Sequence, residues 1–337
     1  MKQIFDKKNV LVIGGAGFIG SNLCDRLLED SKVICLDNFL TGSVDNINHL
    51  LSNIDFELIN HDILNICDLE QISELEKFKI KWQGIQEIYY LASPTAPLDR
   101  KQYPLEAILA NSHGVKNALD LALKYDAKFL FASTSKVYGD TKYGVYIKEN
   151  FIGEYDYLDP ENGYRESKRF GEALVNTYHT NYKLDTKIAR IFNTYGPKMK
   201  LKDGRFLPAL ITLAIDNKPI NIAITNDDII GCYCYIEDLI EGLVRLMGSA
   251  KNQPVNLGHP LNYSLAEIVK KIITLAHSTS TFSVDPNSTL SYLHQEVPDI
   301  SLAKEWLGWY PIILLDQGLE KTIHYIRGVK TIVQSRI

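Results

Sequence analysis

The chain has 337 residues, 45% of them hydrophobic, with 36 Lys and Arg against 41 Asp and Glu and a formal net charge of −5. That length supports one large or two modest domains with a substantial core. The acidic balance, with no dense basic block, argues against a nucleic-acid partner or an acidic membrane surface, and no apolar run approaches the roughly 20 residues that cross a bilayer.

The first residues lead directly into an apolar segment and leave no room for a signal peptide. Five cysteines, at 24, 35, 67, 232 and 234, form neither an even framework nor a paired ligand set. The expectation is a reduced, cytoplasmic protein without a metal.

Asn9-Val-Leu-Val-Ile13 predicts a buried strand, because four branched aliphatics follow one another. Gly14, Gly15, Gly17 and Gly20 come next, and Ser21 to Leu28 continues with helical spacing. A strand that turns on glycines into a helix aims backbone N–H groups and a positive dipole end at one point, which suits a pyrophosphate. A second apolar run, Lys32 to Leu36, ends in Asp37, 17 residues beyond Gly20. A carboxylate there accepts both hydroxyls of an adenosine ribose and repels the additional phosphate of NADP, so the expected cofactor is NAD.

Further along, Phe56–Ile59, Glu87–Ala92, Lys128–Ala132 and Lys187–Phe192 read as strands. They alternate with helices expected at about 64–78, 104–125 and 164–182. This order predicts a doubly wound parallel α/β sheet covered on both faces. Beyond Gly196-Pro197 the segments shorten, with strands expected at 219–223 and 231–236. The expected division is a Rossmann domain over 1–195 and a smaller mixed α/β substrate lobe over 196–337, with room for some chain to cross back.

Thr134 follows the fifth strand, so its hydroxyl faces the cleft at the carboxyl ends of the strands. Tyr164-Arg-Glu-Ser-Lys168 opens a helix, which puts Tyr164 and Lys168 on one face, one turn apart. A nearby ammonium favours the phenolate, so Tyr164 can take a proton from a substrate hydroxyl that Thr134 aligns, while Lys168 also reaches the nicotinamide ribose. A second Tyr-x-x-x-Lys, Tyr138 to Lys142, lies in a turn that does not stack the two side chains. Tyr138 is expected to be a packing residue.

With these residues in place, the chain resembles the extended short-chain dehydrogenase/reductase family, the NAD-dependent sugar-nucleotide epimerases, dehydratases and decarboxylases. The likeness rests on Gly14-Gly-Ala-Gly-Phe-Ile-Gly20, on Thr134, Tyr164 and Lys168, on Ala189 to Pro197 and on Pro298 to Trp309. Its nearest branch is the UDP-glucuronate decarboxylases. The resemblance implies NAD in the first domain, a nucleotide-diphosphate sugar gripped by the second, and a homodimer through helices 104–125 and 164–182.

It also implies contacts to the cofactor from Gly14, Gly17, Phe18, Ile19, Gly20, Asp37 and Asn38. Ile63, Leu91 and Ala92 join that set; Asp62 is expected beside the adenine and Asn111 beside both cofactor and substrate. Asn193 and Arg205 are expected near the diphosphate, and Ser135 and Lys202 near the substrate.

The departures from the family pattern narrow the chemistry. Position 136 carries Lys where the decarboxylases carry Glu. The arginine expected before the 231–236 strand is replaced by Ile230-Gly231, with Lys198, Lys200, Lys202 and Arg205 the nearest alternatives. His294-Gln-Glu-Val stands where a basic residue precedes Pro-Asp-Ile, and Tyr90 stands where a histidine is usual. Lys136 is expected to serve as a base beside a transient ketone, and Ser135 is too weak an acid for dehydration.

The expected reaction is therefore oxidation at sugar C4 followed by epimerisation. UDP-glucuronate decarboxylation, 4,6-dehydration, 4-dehydrogenation and a non-catalytic NAD or nucleotide sensor are the alternatives.

Overall fold

Parallel pairing of the first two apolar runs, Ile13 opposite Leu36, starts the sheet on which the rest of the chain is arranged. The structure is a computed structural model that describes residues 7–139, 145–159, 162–224, 230–288, 290–292 and 296–335. The central strands are β1 (Lys8–Ile13), β2 (Ser31–Asp37), β3 (Phe56–Asn60), β4 (Glu87–Tyr90), β5 (Lys128–Thr134), β6 (Thr186–Ile191) and β7 (Val255–Leu257). All pairs are parallel, in the order β7-β6-β5-β4-β1-β2-β3. The order reverses between β1 and β4, and a crevice opens there at the carboxyl ends of the strands.

Strand periodicity divides the core between the two faces. Val10, Val12, Tyr89 and Leu130 point to one side, where they join residues of the C-terminal half. Leu11, Ile13, Ile88, Phe129 and Phe131 point to the other, beneath the helices at 115–125 and 163–182.

The helices flanking the crevice are α1 (Phe18–Leu27), α2 (Pro97–Gln102), α3 (Pro104–Leu109), α4 (Val115–Tyr125) and α5 (Gly163–Tyr182). Between α3 and α4 the chain passes through a π-helical turn, Ala110–Gly114. No helix among the described residues is long and apolar enough to cross a membrane.

Two expectations about local structure change. The helix expected at 64–78 is instead two 3₁₀ segments, Leu69–Gln71 and Ser73–Phe78. Asp68 caps the first through the Glu70 amide, and Ile72 is extended between them, so no continuous α-helix forms while Leu69, Leu75 and Phe78 are still buried. The strand expected at 231–236 splits at Tyr233. Ile230–Cys232 pairs antiparallel with Asn262–Ser264, whereas Cys234–Tyr235 pairs in parallel with Thr194–Tyr195, so the Cys-x-Cys spans two sheets.

The lobes also interleave. β7 returns to the free edge of β6, and helix Ile236–Gly248 packs on α1.

Candidate active site

The glycine turn is built by backbone contact. Gly14 has φ +84°, and a Cβ there would lie 2.7 Å from the Ala92 nitrogen; a Cβ on Gly20 would lie 2.2 Å from the Gly14 oxygen. Only glycine allows the strand end and the helix start to approach this closely. At the start of α1, Gly17 supplies no side-chain cap and the first turn holds no acid. The opening amides and the dipole end are therefore available to an anion.

At the end of β2 the Asp37 carboxylate accepts the amides of Ala16 at 2.9 Å and Phe39 at 2.8 Å. Each oxygen keeps a lone pair for a ribose hydroxyl. Burial raises its pKa and the two amides pull it back down. Asn38 bridges to Asp62 at 3.1 Å, which links the ends of β2 and β3.

These features fit NAD, which accepts hydrogen with its electron pair from a substrate carbon and can return it. Gly14, Gly17, Phe18, Ile19, Gly20 and Leu91 line a cleft of about 910 Å³. Asp37, Asn38, Asp62, Ile63, Ala92 and Asn111 do not form its wall.

Thr134, Tyr164 and Lys168 meet on the same cleft, as their spacing predicts. Thr134 and Tyr164 are hydrogen-bonded through their side chains. Burial raises the Tyr164 phenol, against the opposing pull of Arg100, Thr134 and Arg205. Lys168 is 2% exposed and donates to the Ala132 carbonyl at 2.7 Å; its Nζ lies 5.9 Å from the centre of the Tyr164 ring.

Asn111 lies within the π turn, and its Nδ2 is within hydrogen-bonding distance of Ser93, Ala107 and Ser167, while Oδ1 is buried without a protein partner. Tyr90 donates its hydroxyl to the Ala110 carbonyl at 2.5 Å. Gly114 makes room for that phenol, since a Cβ would lie 2.5 Å from its oxygen.

Of the residues assigned to the substrate, Ser135, Asn193 and Arg205 line the cleft, and the buried Asn193 Nδ2 has no protein partner. Arg205 pairs with Asp203 at 2.9 Å and donates to Thr95 at 3.0 Å. Lys202 is exposed and is not part of the wall, whereas Lys198 and Lys200 are. Lys198 pairs with Asp25 at 2.5 Å and Lys200 with Asp99 at 3.5 Å.

Tyr138 is buried and donates to Asn256 at 2.5 Å, in keeping with packing; Lys142 lies outside the described residues, as does His294.

Sequence reasoning missed Arg100 and Glu296. Arg100, on α2, stacks its guanidinium over the Tyr164 ring at 5.1 Å. The signal available was its place just beyond the carboxyl end of β4, where ligands bind. Glu296 holds Lys136, with Oε1 2.8 Å from the ammonium. The hint was the acidic residue standing in a stretch where the family is basic.

Lys168 carries a measurable consequence. Burial lowers its ammonium to about 7, with Glu172 pulling the other way. An unfolded lysine keeps its proton to about pH 10.4. Between these values the unfolded chain holds more protons, so this group's stability contribution rises with pH and is lost as pH falls through 7. Lys168→Met is expected to flatten that part of the stability curve of the cofactor-free protein, followed by urea denaturation at pH 7 and pH 9. An unchanged slope would place the ammonium in water.

A doubly wound sheet with a glycine turn, an acid ending β2 and the Thr–Tyr–Lys set marks a nucleotide-dependent oxidoreductive enzyme. The chain belongs to the NAD dependent epimerase/dehydratase family, whose profile matches residues 10–258. It is an NAD-dependent member of that nucleotide-sugar epimerase, dehydratase and decarboxylase class.

Among its relatives, UDP-glucuronic acid decarboxylase 1 of Xenopus tropicalis is 36% identical over 329 residues, covering 96% of this chain and 73% of the relative. UDP-glucuronic acid decarboxylase 6 of Arabidopsis thaliana is 36% identical over 312 residues, covering 92% and 86%. Among solved structures, UDP-glucuronic acid 4-epimerase from Bacillus cereus, in complex with UDP-glucuronic acid and NAD, superposes with a TM-score of 0.79. It is 27% identical, with 95% of this chain and 99% of that one covered.

Proposed function

We propose that the chain epimerises a nucleotide-activated sugar at C4 by transient oxidation to the 4-ketone and reduction on the opposite face. Tyr164 takes the proton of the C4 hydroxyl, Thr134 aligns that hydroxyl, and the Arg100 guanidinium over the ring favours the phenolate, with Lys168 one turn away on the same helix. Asn193 and Arg205, both on the cleft wall, hold the diphosphate.

The single observation behind this reading is the engagement of Lys136 by Glu296. Both carboxylate oxygens of Glu296 lie within hydrogen-bonding distance of the Lys136 ammonium, so the amine is occupied by an ion pair. Among the described residues, only Ser135 and the ion-paired Lys136 stand within two positions of Thr134 on its C-terminal side of the cleft wall, and neither is needed for a step beyond oxidation and reduction. C4 epimerisation has no such step.

The identity to decarboxylases supports UDP-glucuronate decarboxylation as a second reading, since a β-keto acid loses CO₂ without a strong base.

The homodimer expected through helices 104–125 and 164–182 is proposed as well. It is supported by apolar side chains exposed on them, including Leu105, Leu123, Phe170 and Tyr182.

The deciding experiment incubates the NAD-loaded protein with UDP-glucose and UDP-glucuronate in D₂O and follows the products by NMR. The C4 epimer without deuterium is expected, because the hydrogen removed from C4 returns from the cofactor. UDP-xylose or a 4-keto pentose, with solvent deuterium at C5, would replace this reading by the second.

A further inference from the structure

The Lys136 ion pair does more than remove a base. Lys136 lies two residues beyond Thr134 on the cleft wall, next to the hydroxyl and phenol that hold the reacting carbon. Its Nζ is 2.8 Å from Oε1 and 3.1 Å from Oε2 of Glu296, and the Ser135 hydroxyl donates to the same carboxylate at 3.4 Å. The Glu296 side chain is 7% exposed and that of Lys136 37%. The carboxylate therefore sits behind the ammonium, on the protein side. The Cys232 thiol, donating to the Glu296 carbonyl at 3.0 Å, fixes the backbone at this place.

We propose that Glu296 is a specificity-determining residue: it neutralises Lys136 beside the reacting carbon and so turns away sugars that carry a carboxylate, leaving neutral nucleotide-linked hexoses as the substrate class. This rests on the proposed C4 chemistry, which places the sugar against Thr134 and Tyr164. An unpaired ammonium on that wall would attract a sugar carboxylate. With Glu296 already engaged through both oxygens, an incoming carboxylate must share one ammonium with a buried carboxylate, and like charges at that range oppose each other strongly away from water.

A neutral hydroxymethyl group meets no such repulsion and can still accept a hydrogen bond from the exposed side of the ammonium. Selectivity thus comes from a repulsive element as much as from an attractive one. Other cations on the cleft wall are engaged elsewhere: Arg205 is tied to Asp203 and Thr95, Lys198 to Asp25, Lys200 to Asp99, and Arg100 lies over the Tyr164 ring.

The test measures Kd for UDP-glucose and UDP-glucuronate by calorimetry on the NAD-loaded full chain, in a Tyr164→Phe background that slows turnover enough for binding to be read. The background protein is expected to favour UDP-glucose. Adding Glu296→Gln should shift the ratio toward UDP-glucuronate by on the order of tenfold. Adding Lys136→Gln, which leaves the carboxylate alone, should shift it the other way. Opposite shifts cannot come from a folding defect.

A ratio unmoved by Glu296→Gln, or moved in the same direction by both changes, overturns the proposal. If the ratios move as expected but UDP-glucose is never oxidised by the Tyr164 enzyme, the C4 reading falls while the role of Glu296 stands. If neither UDP sugar binds any of the proteins, both fall.

Discussion

Tyr164→Phe is expected to lower turnover by about 10²–10⁴-fold while leaving NAD affinity nearly intact, the range set by removal of a positioned general acid–base group. The phenol lies on the cleft, hydrogen-bonded with Thr134 and beneath the Arg100 guanidinium. Burial alone would hold its proton too tightly, and Arg100, Thr134 and Arg205 oppose that.

Lys168, one turn away on the same helix, is held by the Ala132 carbonyl. Replacing the ring by phenylalanine keeps the packing and deletes only the oxygen, so a fall in rate with unchanged thermal stability would isolate the proton transfer. The readout is the initial rate of sugar conversion by NMR, with NAD binding measured by calorimetry on the same preparation. Activity within tenfold of the parent would remove Tyr164 from the catalytic role.

Gly20→Ala should be the most damaging change at the cofactor end. The new methyl would lie 2.2 Å from the Gly14 oxygen, 2.9 Å from its carbonyl carbon and 2.8 Å from Gly15 Cα, all of them backbone. No rotamer relieves that overlap, so α1 must move away from the end of β1, and overpacking of this kind costs roughly 1–3 kcal/mol or more.

The same displacement carries the α1 amides out of line with the pyrophosphate. NAD affinity is expected to fall by about two orders of magnitude, together with a lower melting temperature of the cofactor-free protein. Gly17→Ala provides the contrast, because its Cβ would meet a single atom, the Gly14 oxygen, at 3.3 Å. Parental stability and NAD affinity in Gly20→Ala would mean that the turn is less tightly closed than the structure describes.

Much of this was legible in the chain. Local signals suffice where the physics is local. The apolar run Val10 to Ile13, the four glycines behind it and Asp37 at the next strand end define a βαβ unit whose geometry follows from sequence neighbours. Tyr164 and Lys168 share a helix face because helical spacing requires it, and α5 spans Gly163–Tyr182 as the periodicity indicates. The segment from 64 to 78 misled because its apolar residues, Leu69, Leu75 and Phe78 among them, are buried equally well by two 3₁₀ turns once Asp68 caps the first.

Other features depend on partners far away in the chain. Whether Lys136 is an available base or half of an ion pair turns on Glu296, 160 residues later. The cation over Tyr164 comes from Arg100 on another element. The split of the Cys232-Tyr-Cys234 strand reflects two different partner strands, and β7 joins the central sheet from within the second half of the chain.

Six strands of the sheet, the cofactor turn and the Thr–Tyr–Lys set are written in residues a few positions apart or in a repeating period, and so were legible before the fold was known. The pairing of Lys136 with Glu296 and the company of the catalytic phenol came from the folded molecule alone, because they depend on which distant side chains are brought within a few ångströms.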